Sequence, residues 1–384
     1  MTALRRLDFS RLLHDRSLTR LAVLVIALVV GFSLANPNFL TVLNFQSMGF
    51  QVAEIGILSL AILLSMLTGG IDLSIVSVAS ICAITTAKMF SATGAADATG
   101  SRGMLLMVFS CAVGLAAGTS CGVLNGLLIT RVGITPILAT LGTLQLLNGI
   151  AIIWTGGAAL YGFPDSFLNI GSFYVGRVPI PVIVLIVAAL GTAVFVNRTG
   201  MGLRLRLVGA NPTAATYSGL NNDRVLMSTY VGSALLASVA GIVISARSAS
   251  ANADYGASYV LLAIVIVVLG GVNPMGGYGT VLAVILAAFA LQFVASGLNM
   301  LGMNQFLYNV AQGVILIGAM SVNVVLDRRR SARGPTRRDR SGAVGPLSNE
   351  ADLAGVAAAA TATTPAHDLA DRQTQPPARP SEES

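Results

Sequence analysis

The sequence predicts an all-α fold: a polytopic membrane bundle of about ten transmembrane helices with Gly-rich broken segments and both termini cytoplasmic. Three observations predict it. First, 54% of the 384 residues are hydrophobic and 10% are charged, against about 25% charged in an ordinary soluble domain. Second, the 39 charges crowd the ends: seven fall in residues 1–20, seventeen in 327–384, and fifteen in all the residues between. Third, the sparsely charged middle divides into apolar runs, most of them as long as the roughly 17–25 residues that cross a bilayer core. Such a composition excludes a soluble enzyme. A nucleic-acid binder is excluded too, because the arginines flank apolar runs and do not build a basic groove.

The spans read, in order, as 18–35, 48–68, 73–90, 104–130, 132–154, 179–196, 225–245, 257–272, 279–298 and 305–326. Residues 1–17 form a basic cytoplasmic tail, 18–326 the membrane domain, and 327–384 a basic and then disordered tail rich in Ala, Thr, Pro and Ser. Five N-terminal arginines before Leu21–Ala35, with Ser33-Leu34-Ala35 after them, resemble a signal peptide. Nine further apolar runs make a retained first helix the simpler reading. An even number of spans with the N-terminus inside gives seventeen basic residues to the cytoplasmic face, including Arg131, Arg198, Arg204, Arg206 and Arg224. The other face keeps four, Lys88, Arg102, Arg177 and Arg247, so arginine sets the orientation.

Between the second and third spans, Thr68-Gly69-Gly70-Ile71-Asp72-Leu73-Ser74 places two glycines and a carboxylate beside hydrocarbon. Broken backbone at that depth is tolerated only against protein or a water-filled cavity. The stretch Gly270-Gly271-Val272-Asn273-Pro274-Met275-Gly276-Gly277-Tyr278-Gly279 cannot stay helical and cuts the eighth span short. Gly/Pro breaks in the two halves of a transporter point to its pathway, although a tight turn between helices explains the backbone equally well. Gly114, Gly118, Gly122 and Gly126 mark a close helix–helix contact on the fourth span. Gly118-Thr119-Ser120-Cys121-Gly122 matches a hydrolase nucleophile pattern, but His14 and His367 both lie in the tails, so no partner is available. Cys82, Cys111 and Cys121 fall in apolar runs as small hydrophobes, with no metal site.

Neutral polar side chains inside spans, Asn125, Thr140, Gln145, Asn148, Gln292, Asn299, Asn309 and Gln312, suit sugar hydroxyls and equally suit helix–helix glue. Glu54 and Asp72 are the main carboxylates at depth, too few for a titratable relay of the kind a proton-coupled carrier uses. The cytoplasmic segment 197–224 contains a short helix, Asn211 to Gly219. Asn211 is a good N-cap, Pro212 fits the first helical position and Gly219 the left-handed stop. With small residues on one face (Ala214, Ala215, Ser218), the rod suits docking into a partner's groove, or a connector lying on lipid headgroups. The single lysine, Lys88, follows an alanine, so no phosphate-cradling loop is present and no cofactor is implied.

Four segments in order then carry a resemblance. They are Gly69-Gly70-Ile71-Asp72-Leu73-Ser74, Leu124-Asn125-Gly126 through Ala139-Thr140-Leu141-Gly142-Thr143, Val208-Gly209-Ala210-Asn211 to Ser218-Gly219, and Val267-Val268-Leu269-Gly270-Gly271 to Gly276-Gly277. From Pro37 to Leu326 the chain resembles a permease subunit of the ribose-type ABC importers. Tyr161-Gly162-Phe163-Pro164, Ser245-Ala246-Arg247 and Gly256-Ala257-Ser258 look most like the autoinducer-2 branch. Two departures stand out: Ile75-Val76 where the family has Val-Gly, and Asn148-Gly149 where it often has Arg-Gly. The resemblance implies a pore of two permeases, same or related, with two cytoplasmic ABC ATPase subunits and an extracytoplasmic sugar-binding protein. Gly209, Asn211, Pro212, Ala214, Ala215, Ser218 and Gly219 would couple to the ATPase. Gly69, Gly70, Asp72, Asn125, Thr140, Gln145, Asn148, Gly270, Gly271, Gly276 and Gly277 would belong to the pathway or its gate. A stand-alone secondary carrier and a channel or scaffold without alternating access remain the alternatives.

Overall fold

The computed structural model describes residues 16–318, apart from 96, 97, 99, 257, 305, 308, 311, 312, 315 and 316. The C-terminal tail, most of the N-terminal tail and much of the expected tenth span (305–326) lie outside the described residues. The described chain belongs to one compact unit, Met1–Leu326. In order it comprises α1 (Arg16–Ala35), a 3-10 turn (Pro37–Leu40), α2 (Val42–Leu67), α3 (Ile75–Thr93), α4 (Gly100–Thr130), α5 (Pro136–Thr155) and α6 (Asp165–Ser172). A small antiparallel hairpin follows, β1 (Tyr174–Val175) with β2 (Val178–Pro179). Then come α7 (Ile180–Arg198), α8 (Gly200–Ala210), α9 (Pro212–Tyr217), α10 (Asn222–Ser248), α11 (Tyr259–Leu269) and α12 (Val281–Met300). Eight of these helices, α1 to α5, α7, α10 and α12, are long and apolar enough to cross a membrane.

The middle of the bundle is α2. Its second half, after Glu54, is apolar on every face, and that composition suits a helix enclosed on every side: from Val52 to Leu67 every residue is buried except half-buried Ile55. Thr41 caps it, accepting a hydrogen bond from the Asn44 N–H, so the helix starts six residues before the expected 48. Around it pack α7, α10, α11 and α12, while α1, α4, α5 and α7 turn Leu, Ile and Val side chains outward, toward lipid.

The glycine stripe of α4 packs inward as the spacing suggests. A Cβ at Gly114 would strike Thr86 of α3, at Gly118 Ser238, and at Gly122 Ala234 and the Tyr230 carbonyl of α10. With no side chain in the way, the backbones close up and dispersion contacts multiply.

The eighth span departs most from the sequence reading of one short helix over 257–272. Only eleven residues, Tyr259–Leu269, are helical, a length of about 16 Å against a hydrocarbon core of about 30 Å. The chain before it, residues 249–256, is irregular and turns back into the bundle. There the Ala253 carbonyl accepts a hydrogen bond from Ser80 Oγ of α3 (3.2 Å), and Ala251 pairs with Leu160 through two backbone bonds (2.8 and 3.0 Å). Ser250, Ala251 and Ala253 are buried. Backbone without helical bonds survives at depth because protein groups satisfy it. Ala249 enters the segment at φ 52°, left-handed for a residue with a Cβ.

Candidate functional site

Two sites stand at opposite ends of the bundle. The first, at the end carrying α8 and α9, is built from backbone. Gly277 N donates to the Leu67 carbonyl at the C-terminus of α2 (3.0 Å). A Cβ on Gly276 would lie 2.7 Å from the Gly209 carbonyl oxygen and 2.8 Å from Gly69 N, and one on Gly209 would collide with the Leu67 carbonyl. Gly69, Gly276 and Gly277 take φ of 80°, 95° and 84°, values that suit glycine alone. Thus the glycines of the α2–α3 turn, of α8 and of the α11–α12 loop, far apart in sequence, meet at one junction. Gly271 also has positive φ (74°), whereas Gly270 has helical φ and rests 3.1 Å, measured from its missing Cβ, on Val284 Cα. Arg206 ties α8 to the same place, its Nη2 donating to Asn197 Oδ1 (2.8 Å) and to the Gly279 carbonyl (3.3 Å).

Directly after this junction stands α9. Asn211 Oδ1 accepts from Ala214 N (2.9 Å), Pro212 occupies the first turn, and Gly219 takes φ 78°, so the capped rod forms as its residues dictate. Its faces differ from the small docking face suggested by Ala214, Ala215 and Ser218. Ala215 is buried against Leu205, Val208 and Val225 of its own chain. Facing outward are Pro212, Thr213, Ala214, Thr216, Tyr217 and Ser218, with Tyr217 89% exposed. Asn222 Nδ2 secures the rod's outer turn through the Pro212 carbonyl (3.0 Å) and Thr216 Oγ1 (2.9 Å).

Just inside the junction lies a closed polar network. Asp72 Oδ1 accepts from Ser74 N (3.0 Å) and Ser74 Oγ (2.7 Å), and its Oδ2 accepts from Ser233 Oγ of α10 (2.8 Å). Asn125 Nδ2 of α4 donates to Ser74 Oγ (2.7 Å), and Asn125 Oδ1 accepts from Thr143 Oγ1 of α5 (2.6 Å). Thr140 Oγ1 donates to the Ile71 carbonyl (3.1 Å). Asp72, Asn125 and Thr140 are all fully buried. They hold the broken α2–α3 turn against α4, α5 and α10. Gly70 leaves room for the fully buried Tyr230 side chain and for Pro136, both of which a Cβ would strike. Gln145 lies on the exposed face of α5, and Asn148 is half-buried with Oδ1 unpartnered. The structure brings neither to the network.

The second site is a polar cavity of about 470 Å³ near the other end of the bundle. Asn44, Ser47 and Gln51 of α2, Arg247 of α10, Tyr259 of α11 and Gln292, Ser296 and Asn299 of α12 supply its polar wall. Gln292 Nε2 donates to Gln51 Oε1 (3.2 Å) and Ser296 Oγ to Asn44 Oδ1 (2.7 Å), joining α12 to α2. Behind the wall Glu54 is 1% exposed and takes a two-pronged contact from Arg247, Nε to Oε1 at 2.5 Å and Nη2 to Oε2 at 3.2 Å. Spaced amides and hydroxyls around a space of this size can exchange hydrogen bonds with a hydroxyl-rich solute. Of these residues the sequence reading singled out Glu54, Gln292 and Asn299, and it missed Asn44, Ser47 and Gln51. A signal existed: Asn44, Ser47, Gln51 and Glu54 recur at i, i+3, i+7 and i+10, one face of a helix.

Comparison with known proteins agrees with this architecture. The sequence profile of the family described as "Branched-chain amino acid transport system / permease component" matches residues 44–320. The "Autoinducer 2 import system permease protein LsrD" of Photorhabdus temperata is 32% identical over 329 residues, 84% of this chain and 95% of that protein. The "Ribose import permease protein RbsC" of Bacillus subtilis is 31% identical over 307 residues, 79% and 91% of the two chains. The LsrD of Salmonella typhimurium is 33% identical over 305 residues, 77% and 88%. No solved structure matches significantly. Apolar spans, a broken core and this likeness together make the chain a multi-pass membrane protein that belongs to the family of transport-system permease components, a transporter subunit and not an enzyme.

Proposed function

We propose that the chain is one half of the pore of an ATP-binding-cassette importer that moves a monosaccharide or sugar-like solute, of the ribose or autoinducer-2 kind, into the cell by alternating access. The observation that carries this reading is the position of α9. An exposed, capped rod stands one residue beyond the glycine junction that joins α2, α3, α8 and the α11–α12 loop. Force applied to α9 would therefore pass through the α8 backbone to α2, α3 and the α11–α12 loop, with no flexible side chain between. A cytoplasmic ATPase subunit is the natural source of that force, since Lys88 is the chain's single lysine and no phosphate-cradling loop exists.

With the α8–α9 end inside, as the arginines indicate, the polar cavity opens toward the outside. There a solute handed over by an extracytoplasmic binding protein would meet Gln51, Gln292 and Arg247. A second permease copy, same or related, would complete the pore. The test is uptake into proteoliposomes of the assembled complex, with labelled D-ribose, D-xylose, L-rhamnose and autoinducer-2 as probes. Import that needs both ATP and the binding protein is the expected result. Gradient-driven uptake by this chain alone would overturn the reading, as would a solved assembly in which α9 faces no ATPase.

A further inference from the structure

Among the described residues lining the polar cavity, Arg247 is the one that carries a permanent charge; the rest are amides, hydroxyls and apolar groups. Its side chain is 37% exposed, whereas that of its partner Glu54 is 1% exposed. The two therefore play different parts. Glu54 sits behind the wall and presents no carboxylate to a solute. Arg247 spends Nε and Nη2 on Glu54, and Glu54 Oε2 also meets the Tyr259 hydroxyl at 3.5 Å. Nη1 stays uncommitted among the described residues, on a side chain that lines the cavity.

A guanidinium standing alone in such a wall would be an anion site, because its planar fork binds carboxylate and phosphate in pairs of hydrogen bonds. Paired with a hidden carboxylate, it loses its net charge and keeps its donors. We infer that Glu54 and Arg247 form a specificity-determining pair: together they hold the cavity at zero net charge, so the pathway takes uncharged polyhydroxyl solutes and refuses their carboxylated or phosphorylated forms. This rests on the reading of the chain as a sugar-importer permease. The size of the effect follows from Coulomb's law. An unpaired unit charge about 6 Å from an anion changes its local concentration about 100-fold at an effective dielectric near 20. Water and salt in an open cavity bring that toward about 10-fold.

The test reads the charge of the cavity directly and needs neither ATP nor a known solute. In the assembled complex Cys82, Cys111 and Cys121 are replaced by alanine and Ser47→Cys places a thiol on the wall. Rates of modification by anionic sulfonatoethyl and cationic trimethylammonioethyl methanethiosulfonates are compared with those of a free thiol. With the pair intact, the anion-to-cation rate ratio stays within about threefold of the free-thiol ratio, as for a site without net charge. Glu54→Gln raises the ratio at least about tenfold, and the double variant Glu54→Gln/Arg247→Gln returns it to the starting value. A ratio that moves less than about twofold in Glu54→Gln overturns the inference. So does a starting ratio about tenfold or more away from that of the free thiol, a measurement that holds even if the single variant does not assemble. Failure of ATP-driven uptake would count against the importer reading and leave these rates untouched.

Discussion

The glycine junction and the polar cavity do opposite things with the same helices. At the junction, backbone touches backbone: Gly277 N on the Leu67 carbonyl, and Gly276 against Gly209 and Gly69 with no room for a methyl group. At the cavity, side chains join α2 to α12 through Gln51–Gln292 and Asn44–Ser296 and border an open space of about 470 Å³. Close-packed backbone has few alternative arrangements, whereas a wall of amides and hydroxyls re-forms its bonds with each solute or water it meets. The difference suggests a division of labour, with one end rigid enough to carry force and the other forgiving enough to let a solute pass.

The hardest blow to that division falls on the junction. Gly209→Val forces a side chain into the Leu67 carbonyl and should cost about 3 kcal/mol or more, at the upper end of overpacking. The expected result is a melting temperature of the purified complex lowered by several degrees, with ATP-dependent uptake lost. A stable, active Gly209→Val complex would show that the junction is not tight. Next comes Asp72→Ala, which strips the partners of Ser74 N, Ser74 Oγ and Ser233 Oγ. Each buried group left unpaired costs about 1–3 kcal/mol, so thermal unfolding should again move down by several degrees, with Asp72→Asn falling between. Tyr217→Ala should leave thermal stability unchanged, because the side chain is 89% exposed, and weaken ATPase binding about 10- to 100-fold, as loss of an exposed aromatic anchor does. Titration of the ATPase subunit against the permease measures it.

At the cavity the effects shrink and change kind. Ser296→Ala and Gln292→Ala each remove one part-buried hydrogen bond, worth about 1 kcal/mol. Their signature is a several-fold change in the solute concentration giving half-maximal uptake, with little change in melting temperature. Equal losses of stability at the two ends would erase the comparison. Smallest of all, Ala249→Gly relieves a left-handed φ of 52° and should stabilise by about 1 kcal/mol, a rise of about 1–2 °C for a chain of this length that calorimetry resolves.

Much of this was legible in the chain. The spans follow from apolar length, and α9 from the Asn211 cap, Pro212 and Gly219. The glycine runs at 69–70, 209 and 276–277 mark broken backbone, yet nothing in their spacing says that they touch one another, because contacts across such sequence distances have no period. The cavity was hidden for a more local reason. A second span that starts at 48 leaves Asn44 and Ser47 outside the membrane and breaks the stripe they share with Gln51 and Glu54. Only the Thr41 cap, which starts α2 at Val42, restores it. The irregular segment 249–256 carries no such signal, since Ser, Ala and Asn fit a loop at the surface as well as one folded inward.

The brevity of α11 also bears on how the protein enters its membrane. A segment of about 16 Å cannot partition across the bilayer by itself as it leaves the insertion machinery, apolar though every one of its residues except Tyr259 is. It packs against α2 and α12, so protein on two sides, and not lipid alone, holds it at depth. Its insertion is therefore a tertiary event, completed by contacts with helices made before it and after it.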